Sequence, residues 1–146
     1  MSSYRATTTP SHLGPAAWNA ILPAQAAAHP LDGDASADIA VIGAGFAGLS
    51  AARRLTQLVP GARIALLEAG RMAEGAAGRN SGFMIDLPHE LTSEDYAGTG
   101  DDRTMIALNR MAQEFGRAAV EEYGIDPAFF DPSGKVNGAA SAAAHA

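Results

Sequence analysis

Ile39-Ala40-Val41-Ile42-Gly43-Ala44-Gly45-Phe46-Ala47-Gly48 is the stretch on which the reading of this chain turns. Its first four residues make a short continuous apolar run that stops at Gly43, the pattern of a strand buried on both faces. The next six fit G-x-G-x-x-G, a spacing with mechanical meaning where it joins a buried strand to a helix. Residues 46–58 supply that helix, with Leu49, Ala52 and Leu55 on one stripe and Arg53 and Arg54 facing elsewhere. Pro60-Gly61 ends it, and Ile64-Ala65-Leu66-Leu67 follows as a second apolar run. Strand, helix and strand in so short a span predict a βαβ unit, with parallel neighbouring strands and a right-handed crossover.

The motif assigns chemistry as well as shape. Gly43 permits the tight turn, Gly45 lets backbone approach a pyrophosphate, and Gly48 lets the helix pack on the strand. The helix N-terminus then faces the phosphates. Gly43, Ala44, Gly45, Phe46, Ala47 and Gly48 are therefore candidate cofactor-binding residues. Twenty residues past Gly48 stands Glu68, at the end of the second run. A carboxylate there can accept hydrogen bonds from the vicinal hydroxyls of an adenosine ribose and repels a ribose phosphate. These residues alone leave FAD and NAD both open.

Outward from this centre the signals weaken. Residues 1–37 are rich in Ala, Thr and Pro and read as an irregular arm, with Trp18, Ile21 and Leu22 able to pin it to the domain. Residues 69–82 form a loop carrying Gly70, Gly75, Gly78 and Gly82, after which Phe83-Met84-Ile85 suits a short strand. Asp101 or Asp102 starts a helix running to about Tyr123, with Leu108, Met111, Ala112, Phe115 and Ala119 as its core stripe. Arg110, Glu114, Arg117 and Glu121 fall at spacings for solvated ion pairs. A turn at Asp131-Pro132-Ser133-Gly134, a strand over 135–140 and a helix-prone alanine tail complete the chain.

Composition narrows the function. The 146 residues are 47% hydrophobic and 18% charged, enough for one modest domain. A net charge of -6 offers no basic footprint, so no nucleic-acid partner is expected. With no cysteine there is no disulfide, thiolate metal site or Cys nucleophile, and no metal site is read elsewhere. The start lacks a secretory pattern and no stretch suits a membrane span, so the expected location is cytoplasmic. The two-stranded sheet and uncapped tail suggest an incomplete piece, inactive alone.

The series Gly43, Gly45, Gly48, Ala52 and Leu55, then Gly61, Ile64 and Glu68, resembles the extended FAD fingerprint of the glutathione-reductase-type flavoproteins. The segment Glu68-Ala69-Gly70-Arg71, followed by Gly75-Ala76-Ala77-Gly78-Arg79-Asn80-Ser81-Gly82, resembles the D-amino-acid-oxidase-like family, especially its gamma-glutamylputrescine oxidase branch. The resemblance implies an α/β, Rossmann-like FAD-binding segment over 38–100, followed by the start of a substrate domain at 101–146. It implies that Gly78, Arg79, Asn80, Ser81 and Gly82 run near the isoalloxazine, with Ala69 and Arg71 near the adenosine end. A fixed guanidinium at Arg79 can neutralise pyrophosphate or reduced flavin. Ala77 stands where the family often has Ser, and Ser81 where Gly is common. The implied activity is oxidation of an amine or amino-acid C–N bond by hydride transfer to flavin N5. The alternatives are an NAD-dependent dehydrogenase, which needs no second glycine-rich loop, and a flavin-binding module that is not an oxidase. No residue is assigned a catalytic role. His89 reads as a surface-loop histidine, and the sequence leaves the oligomeric state open.

Overall fold

The computed structural model describes residues 7–8, 11, 14–27, 29–87 and 101–134; His12, His89, the strand expected over 135–140 and the alanine tail lie outside them. The chain divides into two compact units, Met1–Ser81 and Gly82–Ala146.

The first unit holds α1 (Ala17–Ile21), β1 (Ile39–Ile42), α2 (Phe46–Leu58), β2 (Ile64–Leu67) and a 3-10 turn at Ala76–Gly78. The βαβ reading is met: β1 and β2 pair in parallel, with Ile39 opposite Ile64 and Ile42 opposite Leu67. A local pair pins this register. The Asp38 N–H donates to the Arg63 carbonyl at 2.9 Å, and the Arg63 N–H donates to Asp38 Oδ2 at 2.8 Å. The Arg63 guanidinium closes the pair on Asp38 Oδ1 at 3.1 Å. Hydrogen bonds from the Arg63 side chain and backbone hold the Asp38 carboxyl below the usual carboxylate range.

Burial on both faces of β1 is not what the structure shows. Ile39 and Val41 are half-buried, Ala40 is exposed, and Ile42 is 85% exposed. Among the described residues of this unit, α2 is the helix packed against both strands, so one sheet face is covered and the other is not. The arm also needs correction, because residues 17–21 wind into one short helix. Trp18 pins it as expected, its Nε1–H donating to the Asn80 carbonyl at 2.9 Å, whereas Ile21 is 72% exposed and contributes no burial.

The second unit contains α3 (Asp101–Glu122) and a 3-10 turn at Pro127–Phe129. The strand expected at Phe83-Met84-Ile85 is absent; the segment is irregular. Its Met84 carbonyl is taken by an α3 side chain rather than by a neighbouring strand, Gln113 Nε2 donating to it at 2.7 Å, and Asn109 Nδ2 donates to the carbonyl of the following Asp86 at 3.0 Å. Arg110 Nε adds an ion pair to Asp86 at 3.0 Å. Ile106 is buried and Asn109, Gln113, Gly116 and Val120 are half-buried; of the expected core stripe, Phe115 and Ala119 are half-buried as well, while Leu108, Met111 and Ala112 are exposed. Arg117 and Glu114 pair at 3.6 Å, as their spacing suggests.

Candidate cofactor site

The site lies where β1 hands over to α2. Gly43 turns the chain at φ +98°, a left-handed conformation that side chains rarely adopt, and its N–H donates to the Leu67 carbonyl at 2.7 Å. Gly45 is the N-cap of α2 and brings no side chain, so no side-chain cap covers the first-turn N–H groups. Gly48 sits so close to the incoming turn that a Cβ there would lie 1.8 Å from the Gly43 carbonyl oxygen. Gly43 therefore makes the turn and Gly48 the close approach that the spacing predicts, and Gly45 places no side chain between them. They leave an open cleft of about 580 Å³ at the positive end of a 13-residue helix.

Glu68 forms part of the cleft wall, and its carboxylate bridges two loops. Oε2 accepts the Ala44 N–H at 2.7 Å, and Oε1 accepts the Gly70 N–H at 3.0 Å. The opposite wall is the start of the second glycine-rich loop, residues 73–77. It is folded back on the first loop by the Ala73 N–H, which donates to the Ala44 carbonyl at 3.1 Å. Ala73 is held at φ +57°, a strained conformation for alanine of a kind that gathers at binding sites.

Of the residues read from sequence, Gly43, Ala44, Gly45, Phe46, Ala47, Gly48 and Glu68 come together around the cleft. Ala69, Arg71, Gly78, Arg79, Asn80 and Ser81 are outside its lining. Gly78 is buried beneath the arm, where a Cβ would lie 2.7 Å from that of Ala16. Arg79 faces the arm too: Nε donates to the Glu74 carbonyl at 3.0 Å, Nη2 donates to the Gly14 carbonyl at 2.5 Å and pairs with Glu74 Oε1 at 3.5 Å. Asn80 folds over its own loop, donating to the Ala77 carbonyl at 2.6 Å. Ser81 needs no left-handed backbone; Gly82, with φ +80° and in the second unit, takes that conformation instead.

Sequence reading passed over Ala73 and Glu74. The first offers no signal, since a strained alanine looks like any other. The second had one, the acid between Arg71 and Arg79 in a loop otherwise mostly of glycine and alanine. Its Oε1 accepts the Ala16 N–H at 2.8 Å and its Oε2 accepts from Asn19 Nδ2 at 2.9 Å. The Asn19 bond first and the Ala16 bond second hold this carboxyl below the usual range, outweighing partial burial, and the charges of Arg71 and Arg79 add to them.

The cleft fits a dinucleotide. A side chain at Gly45 would project toward Ala77 and narrow the gap between the loops, and the glycine leaves that gap open.

The family to which the chain belongs says which dinucleotide. The chain is 40% identical over 74 residues to a probable oxidoreductase OrdL of Haemophilus influenzae, covering 51% of this chain and 17% of that protein. It is 29% identical over 106 residues to a probable oxidoreductase OrdL of Rhizobium meliloti, covering 68% of this chain and 23% of that protein. It thus spans about a sixth to a quarter of the curated relatives it matches. No solved structure matches it significantly. The family model described as FAD dependent oxidoreductase matches residues 38–146, which takes in the glycine cradle, Glu68 and both glycine-rich loops. With a Rossmann-like βαβ unit and a cleft of this form, the chain belongs to the FAD-dependent oxidoreductase family, whose cofactor is FAD.

Proposed function

We propose that this chain is the FAD-binding front of an enzyme that oxidises the C–N bond of a small amine or amino acid, in the gamma-glutamylputrescine-oxidase-like branch of the glutathione-reductase-type flavoproteins. The observation that carries the reading is the cleft itself, where an uncapped helix N-terminus, the glycine turn and the Glu68 carboxylate converge opposite a second glycine-rich loop. In this reading the N–H groups at the start of α2 hold the pyrophosphate and the helix dipole favours its charge. Glu68 accepts the ribose hydroxyls, exchanging its Ala44 and Gly70 partners for them or sharing the carboxylate between both.

Residues 78–82 are assigned to the flavin side and Arg71 to the adenosine side. Arg79 acts through the loop, since its guanidinium is engaged by Glu74 and Gly14. FAD supplies the acceptor for a hydride leaving the carbon beside nitrogen, and the imine released is hydrolysed by water. The chain's own residues bind and orient the cofactor. The substrate-holding and catalytic groups are assigned to the part of the relatives' length that this chain does not span. A cytoplasmic location belongs to the same reading; among the described residues no helix is long and apolar enough to cross a membrane.

The test is anaerobic titration of the full-length protein with amino acids, N-methylated glycines and glutamylated polyamines, watching flavin absorbance near ~450 nm, a property of the oxidised cofactor itself. One amine class should bleach it without any nicotinamide. Bleaching by NADH or NADPH alone would overturn the C–N reading.

A further inference from the structure

The second glycine-rich loop has little of its own to hold it in place. Its internal backbone bonds are local, Gly78 N–H to Gly75 O and Arg79 N–H to Ala76 O, each at 3.1 Å. Besides the Ala73 N–H bond to the Ala44 carbonyl, what fixes it comes from residues 47 to 65 positions earlier in the chain. Glu74 takes the Ala16 N–H and the Asn19 amide on its two oxygens. Asn19 and Gln25 both donate to the Met72 carbonyl at 3.0 Å, and Gln25 also donates to Asn19 Oδ1 at 2.8 Å. Trp18 holds the Asn80 carbonyl and Arg79 holds the Gly14 carbonyl, so arm and loop are tied in both directions. Ala16, with no exposed surface, fills the space that Gly78 leaves for it.

Glu74 is at once the centre of this network and part of the cleft wall. Its side chain is 13% exposed. A carboxylate in that position has one consequence beyond holding the arm: any motion that frees Ala16 and Asn19 also leaves the wall formed by residues 73–77 without its ties to the arm at Glu74, with the Ala73–Ala44 bond still in place.

We infer that Glu74 is a positioning residue for the cofactor, coupling the docking of residues 14–25 to FAD binding by fixing the loop that forms the far wall of the cleft. This rests on the FAD reading and adds to it an N-terminal arm that works as part of the site. Coupling of this kind is reciprocal, so FAD must tighten the arm by the same factor by which the docked arm tightens FAD.

Charge and donor exchange between the two partners tests it. In Glu74→Gln the new amide N–H₂ faces the Asn19 N–H₂, and in Asn19→Asp two carboxylates face each other. In the double variant the amide introduced at position 74 donates to the carboxylate introduced at position 19, Ala16 keeps its acceptor, and the Met72 carbonyl keeps Gln25. Full-length apoprotein and its FAD complex would be compared by hydrogen exchange at the Ala16, Gly78 and Arg79 amides and by flavin fluorescence titration.

Each single change should speed exchange at those amides and weaken FAD binding by about three- to tenfold, the range for residues that couple to a ligand without touching it. The double variant should recover both in part, above the level of either single change, since the Arg79 ion pair and the Asn19 bond to the Met72 carbonyl are not restored, and FAD should slow exchange of the arm in the wild type. Asn19→Asp, made on the arm side, decides the matter even where Glu74→Gln folds poorly. Faster arm exchange with unchanged FAD affinity would overturn the coupling, as would failure of the double variant to recover. A wild-type apoprotein that takes up no FAD would instead overturn the underlying cofactor assignment.

Discussion

Replacing Gly48 by alanine adds one methyl group, and the structure gives it no room. The new Cβ would lie 1.8 Å from the Gly43 carbonyl oxygen, 2.9 Å from its carbonyl carbon and 3.6 Å from Val41 Cγ1. Contacts below 3.0 Å are essentially never seen for a Cβ, so α2 or the turn must withdraw by about 1.2 Å. Two of the three obstructing atoms are backbone, so no rotamer change relieves the clash. Overpacking costs roughly 1–3 kcal/mol, and here the upper end applies, about 3 kcal/mol against a total stability of the order of 5–15 kcal/mol. Urea unfolding of the full-length protein followed by circular dichroism measures this directly. Gly45→Ala is the matched control. At φ -87° alanine is unstrained there, and its Cβ meets only Ala77 Cβ, at 4.0 Å. Stability should hold while FAD affinity falls more than about tenfold, since the methyl group stands where backbone must approach the pyrophosphate. Unchanged stability in Gly48→Ala would refute the packing argument, and unchanged FAD affinity in Gly45→Ala would refute the cradle.

Glu68→Ala should weaken FAD by roughly ten- to a hundredfold, because hydrogen bonds to a charged acceptor are worth about 1.5–3 kcal/mol and one decade is about 1.4 kcal/mol; flavin titration with circular dichroism as the fold control checks it, and unchanged affinity would remove the ribose assignment. Asp38, whose carboxyl is depressed chiefly by Arg63, contributes stability that is present above its unfolded pKa and lost as pH falls through the lower folded value. Stability curves of wild type and Asp38→Asn should therefore run apart above about pH 4 and converge in more acid solution, and parallel curves throughout would show that the pair does nothing for the fold.

The residues from Ile39 to Glu68 determined their own structure, and the reason is that their information is local. An apolar run ending at glycine, a helical stripe and a second run place β1, α2 and β2 within a few bonds of one another, and the parallel register follows. The glycine roles are also local, since a positive φ at Gly43 and a close approach at Gly48 involve atoms only a few residues apart. Beyond this stretch long-range partners decided the outcome. Phe83-Met84-Ile85 has strand composition, yet the segment is irregular, Gln113 takes its Met84 carbonyl, and Leu108, Met111 and Ala112 of the expected α3 stripe are exposed while Phe115 and Ala119 are half-buried. Arg79 reads in sequence as a loop cation for pyrophosphate or reduced flavin, and only the fold shows that Glu74 and the Gly14 carbonyl engage it. Glu74 itself reads as one acid in a small-residue loop. Only folding sets it beside Ala16 and Asn19, because a hydrogen bond depends on where two groups are in space, and the sequence separation of 58 residues between Glu74 and Ala16 carries no signal of that.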